Sequence, residues 1–154
     1  MRIMEGPVLA EWIDYNGHMN DSRYFQFTSE AGDRFLNLIG MDSNYLATGH
    51  SYYTVESHIN FVGQAKLGDY LHATVQLLSH DVKRLHLYFT VECGGMLVAT
   101  AEHMMLHVDT RVGKACAAPQ TIIDRVSEIA QYHQRLPMPN NAGRHVGTAP
   151  NGAM

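Results

Sequence analysis

One helix-length amphipathic segment is followed by four strand-length ones, and that order leaves few ways to bury a core. From Asn20 or Asp21, either a good N-cap, to about Ile39, the residues Tyr24, Phe27, Ala31, Phe35, Leu38 and Ile39 recur at three- and four-residue steps. That spacing puts them on one apolar helical face, and Gly40 closes the segment. A helix with one apolar face needs a surface to cover, and the residues after it supply one.

Between Tyr52 and Phe61, Tyr53, Val55, Ser57, Ile59 and Phe61 alternate with Tyr52, Thr54, Glu56, His58 and Asn60, the period of a two-faced strand. Lys66-Leu67-Gly68-Asp69 reads as a turn into a strand from Tyr70 to Leu78. His80-Asp81 turns the chain again, and from Val82 to Cys93 Leu85, Leu87, Phe89 and Val91 alternate with Arg84, His86, Tyr88 and Thr90. Gly94-Gly95 is a hairpin signal leading into Met96 to Asp109. Upstream, Ile3 to Trp12 reads as a short first strand, while Asn44 to Gly49 and Arg111 to Ala118 read as loops. Pro119 precedes a second amphipathic helix through Ile122, Ile123, Val126, Ile129 and Ala130.

The expected fold class is α+β: an antiparallel sheet of about five strands around a long central helix, with a C-terminal helix. A core of this size suits the 154 residues and their 45% hydrophobic content, so one domain over 1–136 is expected. From Pro137 onward Pro, Asn, Gly and Ala dominate, and 137–154 is expected as a flexible C-terminal tail. A single helix leaves strand edges open, so a homodimer or homotetramer is expected.

Charge narrows the function. A formal net charge of −4 argues against a general nucleic-acid surface, and no stretch approaches the roughly 20 apolar residues of a membrane span. With no signal-peptide pattern at the start, the expectation is a cytoplasmic protein without nucleic-acid or membrane partners. Cys93 and Cys116 have neither metal-ligand spacing nor a disulfide framework and read as inert thiols.

The chemistry concentrates in Trp12-Ile13-Asp14-Tyr15-Asn16-Gly17-His18-Met19-Asn20, which leads into the long helix. A helix N-terminus carries unpaired N–H groups and partial positive charge, able to hold an oxygen that becomes negative during a reaction. Asp14 is thereby placed next to an oxyanion site, with Asn16, His18 and Asn20 able to orient it or hold a water.

This segment, with Tyr24 and Glu30 in the following helix and Ala65-Lys66-Leu67-Gly68-Asp69 after a strand, resembles the hotdog-fold acyl-CoA thioesterases of the 4-hydroxybenzoyl-CoA thioesterase-like class. The likeness covers roughly residues 5 to 135. It implies that Asp14 of Asp14-Tyr15-Asn16-Gly17 is the catalytic carboxylate, and that Asp21 donates a backbone N–H to the thioester carbonyl. Many members carry a second aspartate where this chain has Trp12, which implies an altered acyl pocket. A narrower resemblance, in Asp81-Val82-Lys83-Arg84-Leu85-His86-Leu87 and Ala99 to Asp109, is to the betainyl-CoA thioesterases of bacterial carnitine breakdown.

A thioester carbonyl is electrophilic and a thiolate leaves readily, so a positioned carboxylate and a donor suffice. Asp14 either attacks to form an anhydride or activates water. If the acyl group is betainyl, its quaternary ammonium calls for aromatic faces and carboxylates, and Trp12, Tyr15, Tyr24, Tyr52 and Tyr53 are the cage candidates. Glu56 is a candidate near the substrate. Lys66, Lys83, Arg84, Arg111 and Lys114 are candidates for the CoA phosphates, Lys83-Arg84 foremost. No cofactor is expected. No metal is expected either: His103 and His107 lie on a strand, where four residues span about 13 Å. The alternatives are a thioesterase for another short-chain or aromatic acyl-CoA, and a non-catalytic acyl-CoA binding module with no need for Asp14.

Overall fold

The computed structural model describes residues 1–147. Strand β1 (Arg2–Pro7) is followed by the 18-residue helix α1 (Asp21–Leu38) and a single helical turn, α2 (Ser43–Leu46). Four long strands follow, β2 (His50–Phe61), β3 (Tyr70–His80), β4 (Arg84–Cys93) and β5 (Met96–Asp109). A two-residue strand β6 (Lys114–Ala115) and helix α3 (Gln120–His133) complete the order. The sheet runs β1-β3-β4-β5-β2 with every pair antiparallel, and β6 pairs with β5.

Alternation within the strands decides the packing. Leu85, Leu87, Phe89 and Val91 of β4 and Ala99, Ala101 and Met105 of β5 are buried, and they join Phe27, Ala31 and Phe35 of α1 in one core. The helix approaches closely at Gly32, where an added Cβ would lie 3.1 Å from the Met105 side chain. Met41 N–H bonds to Leu36 O and Gly40 N–H to Asn37 O, so the last carbonyls of α1 are satisfied and the helix stops where the sequence places Gly40. Gly94 and Gly95 both have positive φ, 57° and 79°, as the tight hairpin between β4 and β5 requires.

The two sheet edges differ. Beside β3, β1 reaches only to Thr74, and α3 covers what remains. There His133 Nδ1 accepts the otherwise unpaired N–H of Leu77 at 2.9 Å, and burial holds the His133 pKa below its ordinary value. Along β2, by contrast, Tyr53 to Ser57 are exposed and no strand among the described residues pairs with the outer side.

Several local expectations are corrected. The first strand ends at Pro7 rather than Trp12, because Ala10–Trp12 forms a single tight turn that carries Trp12 into the core. The expected loop before β2 contains α2, whose first turn is capped by Asp42 Oδ1 accepting the Tyr45 N–H. The expected loop after β5 contains β6, where His107 Nδ1 donates to Cys116 O at 3.0 Å and the Tyr45 hydroxyl meets His107 Nε2 at 2.6 Å. Apart from these corrections, residues 137–140 and 143–145 of the segment 137–154 line cavities on the sheet face away from α1. Gln76 Nε2 donates to Pro137 O there, and Gly143 N–H donates to the Glu102 carboxylate at 2.7 Å. Residues 148–154 of that expected tail lie outside the described residues.

Candidate active site

Asp14 sits in a three-residue hairpin loop. Its carbonyl accepts the Gly17 N–H at 3.0 Å, its N–H donates to His18 O at 2.9 Å, and Asn20 N–H donates to Trp12 O at 2.8 Å. This geometry needs a left-handed residue at Gly17, whose φ is 77°. The Asp14 side chain is fixed by the same loop, since Oδ1 accepts the Asn16 N–H at 2.8 Å. One carboxylate oxygen is therefore held by the backbone, and among the described residues the other has no partner.

The loop delivers the chain directly to the head of α1. Asn20 caps the helix, with Oδ1 accepting the Ser22 N–H at 3.0 Å, and Arg23 N–H donates to Asn20 O. Among the described residues no acceptor is paired with the Asp21 N–H, which leaves a donor at the positive end of an 18-residue helix.

Asp14 and Asp21 both line a cavity of about 620 Å³. Asp14, Tyr15, Asn16, His18, Asn20, Asp21 and Tyr24 line it, so seven of the residues singled out in the sequence are brought together, and Gly17 shapes the loop that carries them. Phe61, Gly63 and Gln64 complete the lining and have no local sequence signal as site residues. They are placed there by Tyr24, whose Oη accepts the Ala65 N–H at 3.0 Å and whose ring meets Phe61 edge-on at 5.5 Å. Burial raises the Tyr24 pKa, so its hydroxyl stays protonated. The lining includes two carboxylates, Asp14 and Asp21, and no lysine or arginine.

Other candidates lie elsewhere in the protomer. Trp12 is buried, packed edge-on against Phe27 at 6.3 Å, and does not line the cavity. Tyr52 is buried against His107 with its pKa raised by burial, and Tyr53 is exposed at the far end of β2. Glu56 lines a separate cavity with His58, His86 and Glu102 on the sheet face away from α1. Lys83 and Arg84 form the β3–β4 turn, with their N–H groups on Asp81 Oδ1 and Arg84 ion-paired to Asp81 at 3.2 Å. Arg84 pairs with Leu106 of β5 whereas Phe61 pairs with Ala99, seven residues or about 23 Å along the sheet. Arg111 is held by Asp109 at 2.7 Å, and Glu30 accepts from Gln26 on the exposed helix face. His103 and His107 lie on β5, and no group of three or more His, Cys, Asp or Glu side chains among the described residues is placed to hold a metal ion.

A curled antiparallel sheet around one helix, with a carboxylate loop at that helix's N-terminus, defines a hotdog-fold enzyme. Residues 8–129 match the model of the thioesterase-like superfamily, and the chain belongs to that family. It is 40% identical to the betainyl-CoA thioesterase of Pseudomonas aeruginosa, over 95% of this chain and 94% of that one. It is 47% identical to the L-carnitine dehydrogenase/betainyl-CoA thioesterase of Rhizobium meliloti, over 96% of this chain but only 30% of that longer protein. In three dimensions it is similar to a Staphylococcus aureus protein solved in complex with CoA, with a TM-score of 0.90, 24% identity and coverage of 97% and 96%. No helix among the described residues is long and apolar enough to cross a membrane.

Proposed function

We propose that this chain hydrolyses betainyl-CoA to glycine betaine and CoA in carnitine degradation, as a cytoplasmic homodimer or higher homo-oligomer. The observation that carries the reading is the pairing, in one cavity, of a backbone-held Asp14 carboxylate with the unpaired Asp21 N–H at the head of α1. The N–H stabilises the oxyanion that forms as the thioester carbonyl is attacked, and the helix dipole adds to it. The unpartnered oxygen of Asp14 either takes a proton from the attacking water or attacks the carbonyl carbon, giving an anhydride that water then opens. In both routes the thiolate leaves and takes up a proton. The identity to betainyl-CoA thioesterases and a cavity lined by two carboxylates and no lysine or arginine support the cationic acyl group.

The open β2 edge supports association. Two copies paired antiparallel along β2 place the His50 end of one strand beside the Phe61 end of the other, and with it the partner's Tyr53 and Lys83-Arg84 turn near the Asp14 cavity. That arrangement gives the CoA phosphates basic groups which the cavity itself lacks.

The test is thiol release from betainyl-, acetyl-, butyryl- and 4-hydroxybenzoyl-CoA, with sedimentation for the assembly. Preference for betainyl-CoA is the expected result. Preference for a neutral acyl group keeps the thioesterase and discards the cationic substrate. No release from any of them favours a binding module.

A further inference from the structure

The size of the betainyl group restricts which side chains can read its charge. Its nitrogen is separated from the carbonyl carbon by one methylene, about 2.5 Å, as an amino-acid nitrogen is from its own carbonyl carbon. The group that recognises the cation therefore lies in the same cavity as the group that attacks, within a few ångströms of the oxyanion. The cavity offers two carboxylates. Asp14 is committed to the reaction, and Asp21 is left.

Asp21 is unusual in carrying both signs at one point. Its N–H is the unpaired donor at the head of α1, while its side chain is exposed, with Oδ1 accepting only the adjacent Ser22 N–H at 2.7 Å. Among the described residues its second oxygen has no partner. The helix is capped by Asn20 instead, so the Asp21 carboxylate is not needed for the cap. A carboxylate this near an oxyanion opposes negative charge developing there and slows hydrolysis of any neutral acyl group. A quaternary ammonium reverses the balance: it is itself attracted to Asp21, and it offsets the carboxylate's field at the carbonyl.

We infer that the Asp21 side chain is the specificity-determining counter-charge for the substrate's quaternary ammonium, selecting it by attraction and rejecting neutral acyl groups by repulsion of their oxyanion. The rings of Phe61 and Tyr24, packed edge to face on the wall of the same cavity, supply apolar surface for the methyl groups. This inference rests on the cationic-substrate reading above and assigns it to one residue.

The experiment compares betainyl-CoA with 3,3-dimethylbutyryl-CoA, which has the same shape with carbon in place of the charged nitrogen. Wild type, Asp21→Asn and Asp21→Glu are assayed for kcat/KM, and binding of glycine betaine and of 3,3-dimethylbutyrate is measured by calorimetry. Asparagine keeps the backbone N–H, so the expected result is a loss of about 10- to 100-fold on betainyl-CoA together with faster cleavage of the neutral analogue. Glutamate is expected to restore part of the preference. An Asp21→Asn ratio equal to that of wild type, or an equal loss on both substrates, overturns the role of Asp21 and leaves the thioesterase standing. If wild type releases no thiol, the hydrolase reading falls, and the calorimetry still decides Asp21: tighter betaine binding than Asp21→Asn supports the assignment, and equal binding overturns it.

Discussion

Tyr24 Oη accepts the N–H of Ala65 at 3.0 Å, a bond across 41 positions that ties the first turns of α1 to the segment leaving β2. Through it, helix α1, whose N-terminus lines the Asp14 cavity, is tied to the segment that carries Gly63 and Gln64 of the same lining. Both residues are buried, so the bond has no water to replace it.

Tyr24→Phe leaves the Ala65 N–H buried without an acceptor. The expected cost is about 1–3 kcal/mol of stability, read by urea unfolding, with a rise in KM as Gly63 and Gln64 loosen. Unchanged stability would mean that the bond is not made in solution.

Asp14→Asn removes the carboxylate proposed to attack or to activate water while keeping the loop, since an asparagine oxygen still accepts the Asn16 N–H. Turnover is expected to fall by about 10² to 10⁴-fold with little change in melting temperature. Near-wild-type turnover would exclude Asp14 as the catalytic carboxylate.

Gly17→Ala meets open space, so its cost is conformational: a side chain at φ 77° costs about 1–2 kcal/mol. The expected signature is a modest drop in melting temperature and a larger drop in kcat, because the same turn aims Asp14. An equal effect of Gly68→Ala on kcat, at another positive-φ site with open space, would argue against a role specific to Gly17.

His103 of β5 is fully buried against α1, with Nδ1 lacking a hydrogen-bond partner, and burial lowers its pKa from 6.5 to about 4. Above 6.5 the imidazole is neutral in both folded and unfolded chains. Between 6.5 and about 4 only the unfolded chain takes up the proton, so folding stability falls with pH by about 3 kcal/mol in total and changes no further below. His103→Leu is expected to flatten that acid limb, leaving the slope from His107 and His133, whose values burial also lowers. An acid limb as steep as that of wild type would refute the account.

Much of this architecture is legible locally. The spacing of Tyr24, Phe27, Ala31 and Phe35 gives α1, the alternation through β4 and β5 gives their buried faces, and Asp14-Tyr15-Asn16-Gly17 marks the loop. These are short-range properties, set by backbone geometry and by which side chains share a face. Their information lies within a few residues, and a sequence displays it.

What the sequence by itself determined is therefore the set of elements, their apolar faces and the carboxylate loop beside a helix N-terminus. The tertiary structure alone decided that Phe61, Gly63 and Gln64 line one cavity with Asp14, that Trp12 turns into the core against Phe27, and that Lys83 and Arg84 stand at the opposite end of the sheet. Those placements depend on strand register and sheet curvature, which sum many weak contacts between distant segments. No one segment carries that information, and it emerges only when the whole sheet closes on the helix.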